Sequence, residues 1–240
     1  MKSGNSRRTI RGLAFAACCQ LVLSTGAQAQ SSSVATRGPY DLSQLRGICS
    51  FVYDRARQPA GSVYYYSFQK MMADAAGAQP DDDVDARRIR VRYLWLDNQH
   101  AFRCTAQNFN LSNGNLLKYS VRSRSFEFIV AAIEDWHLEL NFIDLADHRT
   151  ILDYVAREAE ANDGNSDSAT INSYLDALRE VGAKHCFEVV DPKYCAHPNA
   201  ATFLGRDFSL SEADSASAER EISEYNERVR TAPVRPYRPL

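Results

Sequence analysis

Thr150-Ile151-Leu152-Asp153-Tyr154-Val155-Ala156 is the stretch on which the fold turns. Its apolar residues fall at helical spacing, and the Thr150 hydroxyl stands where it can accept from an otherwise orphan backbone N–H of a first helical turn. A helix therefore starts here. Leu152 lies thirty-five residues after Leu117, which sits in Asn115-Leu116-Leu117-Lys118-Tyr119-Ser120-Val121, and that segment is followed by the apolar run Phe126 to Ile133. Downstream, the run Leu175 to Lys184 carries Gly182 where a helix end calls for left-handed backbone, which glycine adopts without steric cost. The polar segment Asn162 to Ser168 between two helical patterns reads as a mobile surface loop. Short helices joined by polar turns are thus expected from Asn113 to His185.

These segments resemble the ankyrin repeat, a unit of about 33 residues whose first helix opens with Thr-Pro-Leu-His-x-Ala. Thr150, Leu152 and Val155 stand at the Thr, Leu and Ala positions, with Ile151 in place of Pro and Asp153 in place of His; Asn115, Leu116, Leu117, Lys118 and Ser120 fill the same places in the earlier copy. Leu140-Asn141-Phe142-Ile143-Asp144 is similar to the Val-Asn-x-x-Asp link of that family, and residues 175–184 to its Leu-Leu-x-x-Gly-Ala close. The resemblance covers residues 113–185 and implies a mainly α fold of ankyrin-like stacked helix pairs. Two such units cannot hide their apolar faces alone, since about three or more are normally needed. Residues 40–112 are therefore expected to cap the stack in one continuous core, as an α+β segment containing a short β-hairpin. Tyr64 to Gly77 reads as a further, decayed repeat, with Met71, Met72, Ala75 and Ala76 on its inner face.

Within that cap, Leu42 to Arg57 has the spacing of a helix, carrying Cys49. Ile89, Val91 and Tyr93 alternate with Arg88, Arg90 and Arg92, a period of two that predicts a strand; Ala101 to Ala106 is its expected return, the two forming the hairpin. Asp81-Asp82-Asp83 lacks the alternate ligand spacing and the glycine of a calcium loop, so it reads as a solvated turn. Asn113-Gly114-Asn115 is a turn signal. Ser211 to Arg230 has the charge pattern of a solvated helix, and the last ten residues are expected to be disordered.

Lys2, Arg7, Arg8 and Arg11, the apolar run Gly12 to Leu23 and Ala27-Gln28-Ala29 have the three parts of a secretory signal peptide over residues 1–29, followed by a Ser-rich flexible leader over 30–39. Export to a periplasm or beyond is expected. A lipoprotein signal ending at Cys18 is disfavoured by the short apolar run before it. Of 28 Lys+Arg and 30 Asp+Glu, the signal peptide takes four basic and no acidic residues. The acidic remainder argues against nucleic acid, and no further apolar run has the length of a membrane helix. At 45% hydrophobic and 24% charged, with 11 Gly and 8 Pro in 240 residues, the chain is neither low-complexity nor wholly disordered. Four cysteines remain, and in an oxidising compartment they suit two disulfides, nearest neighbours first: Cys49–Cys104 and Cys186–Cys195, the latter in a connecting stretch over 186–210. A zinc-like set of His185, Cys186, Cys195 and His197 is the competing reading, weakened by the absence of a short Cys-x2–4-Cys clip.

No Gly-x-Ser-x-Gly or phosphate loop occurs, and His185 and Cys186 are sequence neighbours, which rarely lets nucleophile and base face each other. His137, Asp144, Asp147 and His148 form the densest titratable cluster and carry the alternative reading, a metal-dependent or acid–base hydrolase. In an ankyrin-like unit these positions fall in the finger between repeats. Trp136, His137, Asp144, Asp147, His148 and Arg149 are accordingly the expected partner-binding residues, although a Trp at a helix end is more often packed in the core. Thr150, Leu152 and Gly182 are the expected structural positions. The leading expectation is an exported, non-enzymatic protein-binding module without metal or cofactor, one concrete form being an immunity or inhibitor protein.

Overall fold

Helix starts and ends in the computed structural model follow side-chain caps, and these organise residues 35, 37–44, 63–99, 102–106, 111–196 and 210–233, the residues described. The proposed signal peptide, the 42–57 helix beyond a 3-10 turn at Leu42–Gln44, Cys49, His197, residues 197–209 and the final tail lie outside them. The described part is mainly helical. Helix α1 spans Val63–Ala75 and α2 Val84–Asn98; α3, Leu116–Arg122, precedes α4, Phe126–Val130, which runs into a π-helical turn, Ala131–Asp135. Helices α5, Ile151–Ala161, and α6, Ser168–Glu180, form the next pair, and α7, Glu212–Thr231, closes the described residues.

The strand expected over Arg88–Tyr93 is instead the middle of α2. Asp83 starts this helix by accepting from Ala86 N at 2.7 Å, and its buried face, Ala86, Arg90, Val91, Leu94 and Trp95, has helical spacing. Arg90 disguised that spacing, because a buried cation sits where an apolar residue is normal. Asp82 makes it tolerable: the buried carboxylate accepts from Arg90 Nε at 2.7 Å and from Gln79 N at 2.7 Å. The run Asp81 to Asp83 is thus a turn, but only in part a solvated one. With α2 helical, the expected hairpin does not form. Strand β1, Arg103–Ala106, pairs antiparallel with β2, Leu111–Asn115, so Asn113 and Gly114 lie in a strand rather than a turn.

The second copy of the sequence pattern has the predicted ends. Thr150 accepts from Asp153 N while the Asp153 carboxylate accepts from Thr150 N, a reciprocal capping box at the start of α5. At the end of α6, Gly182 adopts φ +85°, its N–H donating to Arg179 O and that of Ala183 to Leu178 O, a Schellman closure. The expected 162–168 loop is a surface turn over 162–167, since Ser168 already begins α6.

Helices α3 and α5 run parallel, side by side. Lys118 in the first turn of α3 meets Asp144 and Asp147, just ahead of α5, whereas Arg122 at the other end meets Glu158 in the last turns of α5, at 3.0 Å. Arg124 adds a second contact to Glu158 at 3.1 Å and one to Asp167 at 2.9 Å. Glu158 is fully buried, and two guanidiniums offset its desolvation. One apolar core runs from Met72 to Ala183, including Trp95, Leu116, Phe128, Leu152 and Ile171; Met72, Ala75 and Ala76 are buried in it, with Met71 packed against its edge.

Two segments expected to be loose are held. Arg37, in the leader, donates to Asp97 at 2.8 and 2.6 Å, and Tyr40 OH to the same carboxylate at 2.7 Å. The helix expected to be solvated, α7, buries Ala218 and Ile222, the latter against Ile143, Cys186, Val190 and Cys195. Asn226 clasps Ile143, accepting from its N–H at 3.0 Å and donating to its carbonyl at 2.8 Å. Periodicity misses this face because it is only a few residues wide.

Candidate functional site

Of the six residues expected to bind a partner, Trp136, Asp144, His148 and Arg149 are buried, and His137 and Asp147 are part-buried. Trp136 is a core residue, edge-on to Phe128 with ring centroids 5.8 Å apart. Asp144 and Asp147 both accept from Lys118 Nζ, at 3.2 and 2.6 Å, and the Lys118 side chain is only 3% exposed. Burial, together with the neighbouring Asp144, pushes the Asp147 carboxyl up, against the pull of Lys118. His148, at φ 52°, turns its Nδ1 to Tyr194 O at 2.8 Å, and Arg149 is buried. The finger is a tight turn closed by the Asp144–Arg149 bridge. His137 stands apart from this group, half-buried; burial and the cations Arg92 and Arg88 hold its imidazole below the usual range.

This arrangement commits three of the four side chains of the hydrolase alternative to structural partners, the two carboxylates to one ammonium and the His148 imidazole to a backbone carbonyl, while His137 lies apart from them. Among the described residues, no three His, Cys, Asp or Glu side chains are grouped so as to hold a metal ion. Cys186 and Cys195 form the expected disulfide, Cα atoms 5.7 Å apart. The Cys49–Cys104 pairing lies outside the described residues.

Asp153, at the start of α5, is a junction. Its carboxylate accepts from Thr150 N and Oγ1 at 3.0 Å each and from Cys186 N at 3.0 Å, and it faces His185 Nδ1 at 2.7 Å. The start of α5 is thereby tied to the disulfide loop. Thr150 Oγ1 also lies 2.8 Å from Lys184 O, so its single proton is shared between that carbonyl and the Asp153 carboxylate.

A cleft lies elsewhere, between α1, the start of α2 and the end of the π-helical turn, with a volume of about 670 Å³. Ala73, Ala78, Pro80, Val91 and Trp136 give it an apolar lining, and Val84 stands 62% exposed beside it. Its charges are Lys70, Arg87 and Arg88 against Asp74 and Asp135. That size is ordinary for a ligand or side-chain pocket. The sequence reading missed it by placing Arg88 on a strand; the available signal was Asp83 three residues before Ala86, an N-cap spacing that makes Val84, Arg87 and Arg88 neighbours on one helix face.

Comparisons with protein-family models, with curated proteins and with solved structures give no match. Among the described residues, no helix is long and apolar enough to cross a membrane.

Proposed function

We propose that the protein is an exported, non-enzymatic binding module for another protein, built on ankyrin-like stacked helix pairs, with the cleft beside Val84 as its contact site. The observation that carries the reading is this cleft: an apolar floor, an exposed valine and three cations gathered on the first helix pair. Three features support the ankyrin-like part. A β-bridged turn at Asp144–Arg149 leads into the α5–α6 pair, α3 and α5 lie parallel, and part-buried ion pairs join them at both ends. A turn followed by two helices is the ankyrin unit. The Cys186–Cys195 bond supports an oxidising compartment, in keeping with the signal-peptide pattern over 1–29. An immunity or inhibitor role is the concrete form of this reading.

The test is site-specific photo-crosslinking in the producing cell. A photoreactive residue at Val84 is expected to yield a discrete protein adduct that the same residue at the exposed Asp176 does not. Absence of an adduct at Val84, or equal adducts at both positions, would overturn the proposal.

A further inference from the structure

We infer that the cleft takes an extended acidic segment of the partner protein, in which an apolar side chain is flanked by carboxylates; this rests on the protein-binding reading above. Arg87 and Arg88 are spaced three and four residues after Val84, so all three lie on one face of α2 at the cleft mouth. Their donors are largely unspent. Among the described residues Arg87 reaches only the Pro80 carbonyl, at 3.4 Å, and Arg88 stands 3.4 Å from Asp85 and 4.0 Å from Asp135, longer than the 2.7–2.9 Å of a strong charge-assisted bond.

The other charges of the cleft are already engaged. Lys70 holds Asp74 at 2.6 Å, and Gln69 donates to Asp135 at 2.9 Å. Two guanidiniums therefore face the opening, in a chain whose overall charge is −2, and a planar guanidinium fork matches a carboxylate. Between them and the floor, Val84 offers apolar surface that a lone carboxylate cannot cover, while Val91 and Trp136 offer a place for an aliphatic or aromatic side chain. A charged segment with one apolar anchor satisfies both surfaces, and opposite charge also speeds its encounter.

Fluorescence anisotropy on the full chain tests this with labelled decapeptides of alternating Glu and Leu, alternating Gln and Leu, and alternating Lys and Leu. The Glu peptide is expected to bind about tenfold or more tightly than the Gln peptide, the Lys peptide not at all, and the preference to fade between about 0.05 and 0.5 M NaCl. R87Q/R88Q should abolish the preference; R87Q alone, at an exposed side chain, should weaken it and guards against misfolding of the double variant. Equal binding of the Glu and Gln peptides, an undiminished preference in R87Q, or complete displacement by N-acetylglutamate, a carboxylate without the chain, would overturn the inference. A Val84 adduct to a protein partner, obtained while the peptides show no acidic preference, would overturn the inference and leave the protein-binding reading standing. An acidic preference with no adduct would overturn the protein-binding reading and, with it, the assignment of the acidic segment to a partner protein.

Discussion

Replacing Asp153 by alanine removes one buried carboxylate that serves four donors on two separate segments. Loss of the capping box costs about 1 kcal/mol, and leaving the buried Cys186 N–H without its acceptor costs about 1–3 kcal/mol. The His185 contact adds to this without being additive, because all four donors share one acceptor group. A total of about 3 kcal/mol is expected, which for a chain of this size is a fall in Tm of roughly 10 °C. Urea unfolding of the oxidised protein, followed by fluorescence of the buried Trp95 and Trp136, measures it. Asp153→Asn should fall between wild type and alanine, since it keeps one acceptor oxygen but turns an NH2 toward donors. A loss under about 1 kcal/mol for Asp153→Ala, or equal effects of Ala and Asn, would refute the view of Asp153 as the junction between α5 and the disulfide loop.

Lys118→Met should destabilise by about 3 kcal/mol at neutral pH by taking the ammonium away from buried Asp144 and part-buried Asp147, which keep only their backbone N–H donors from Ala146 and Arg149 among the bonds described, and the deficit should shrink in acid. The sign follows from Asp147: its carboxyl is raised in the fold, so the folded state gains a proton first as pH falls and the penalty is relieved; urea midpoints at two pH values check this. Asp97 behaves oppositely. Burial pushes its carboxyl up, but the bonds from Arg37 and Tyr40 prevail and hold it below the usual range, so its contribution is complete above that range and is lost as pH falls through the lowered value. Asp97→Asn should therefore flatten the acid limb of a plot of Tm against pH. Gly77→Ala should cost about 2–3 kcal/mol, because a Cβ at φ +70° would lie 2.4 Å from Pro39 O; Gly164→Ala, at φ +77° with open space around it, should cost only about 1 kcal/mol, as thermal melts would show.

What was legible in the sequence is what local physics decides. The Thr150 cap, the Gly182 closure and the Cys186–Cys195 bond each depend on a few neighbouring residues, and each stands as read. Long-range pairing was not legible. Arg90 is buried beside Asp82, which lies outside its helix, Lys118 is buried where Asp144 and Asp147 lie across from it, and α7 gains its apolar contact from Ile143 and the disulfide. Polar residues in such places look like surface, which is why α2 read as a half-exposed strand and Asp144 to Arg149 as an open finger. The cleft was hidden for the same reason, since its arginines belong to the misassigned helix.

Hydrogen–deuterium exchange over α3 to α6 in the native full chain tests the stack of helix pairs most directly. Parallel α3 and α5 joined by ion pairs at both ends should open together, so their slowest amides share one opening free energy, and Glu158→Gln should lower it for both pairs alike. Amides of α3 and α4 that open independently of those in α5 and α6, with Glu158→Gln loosening only α5, would contradict the account.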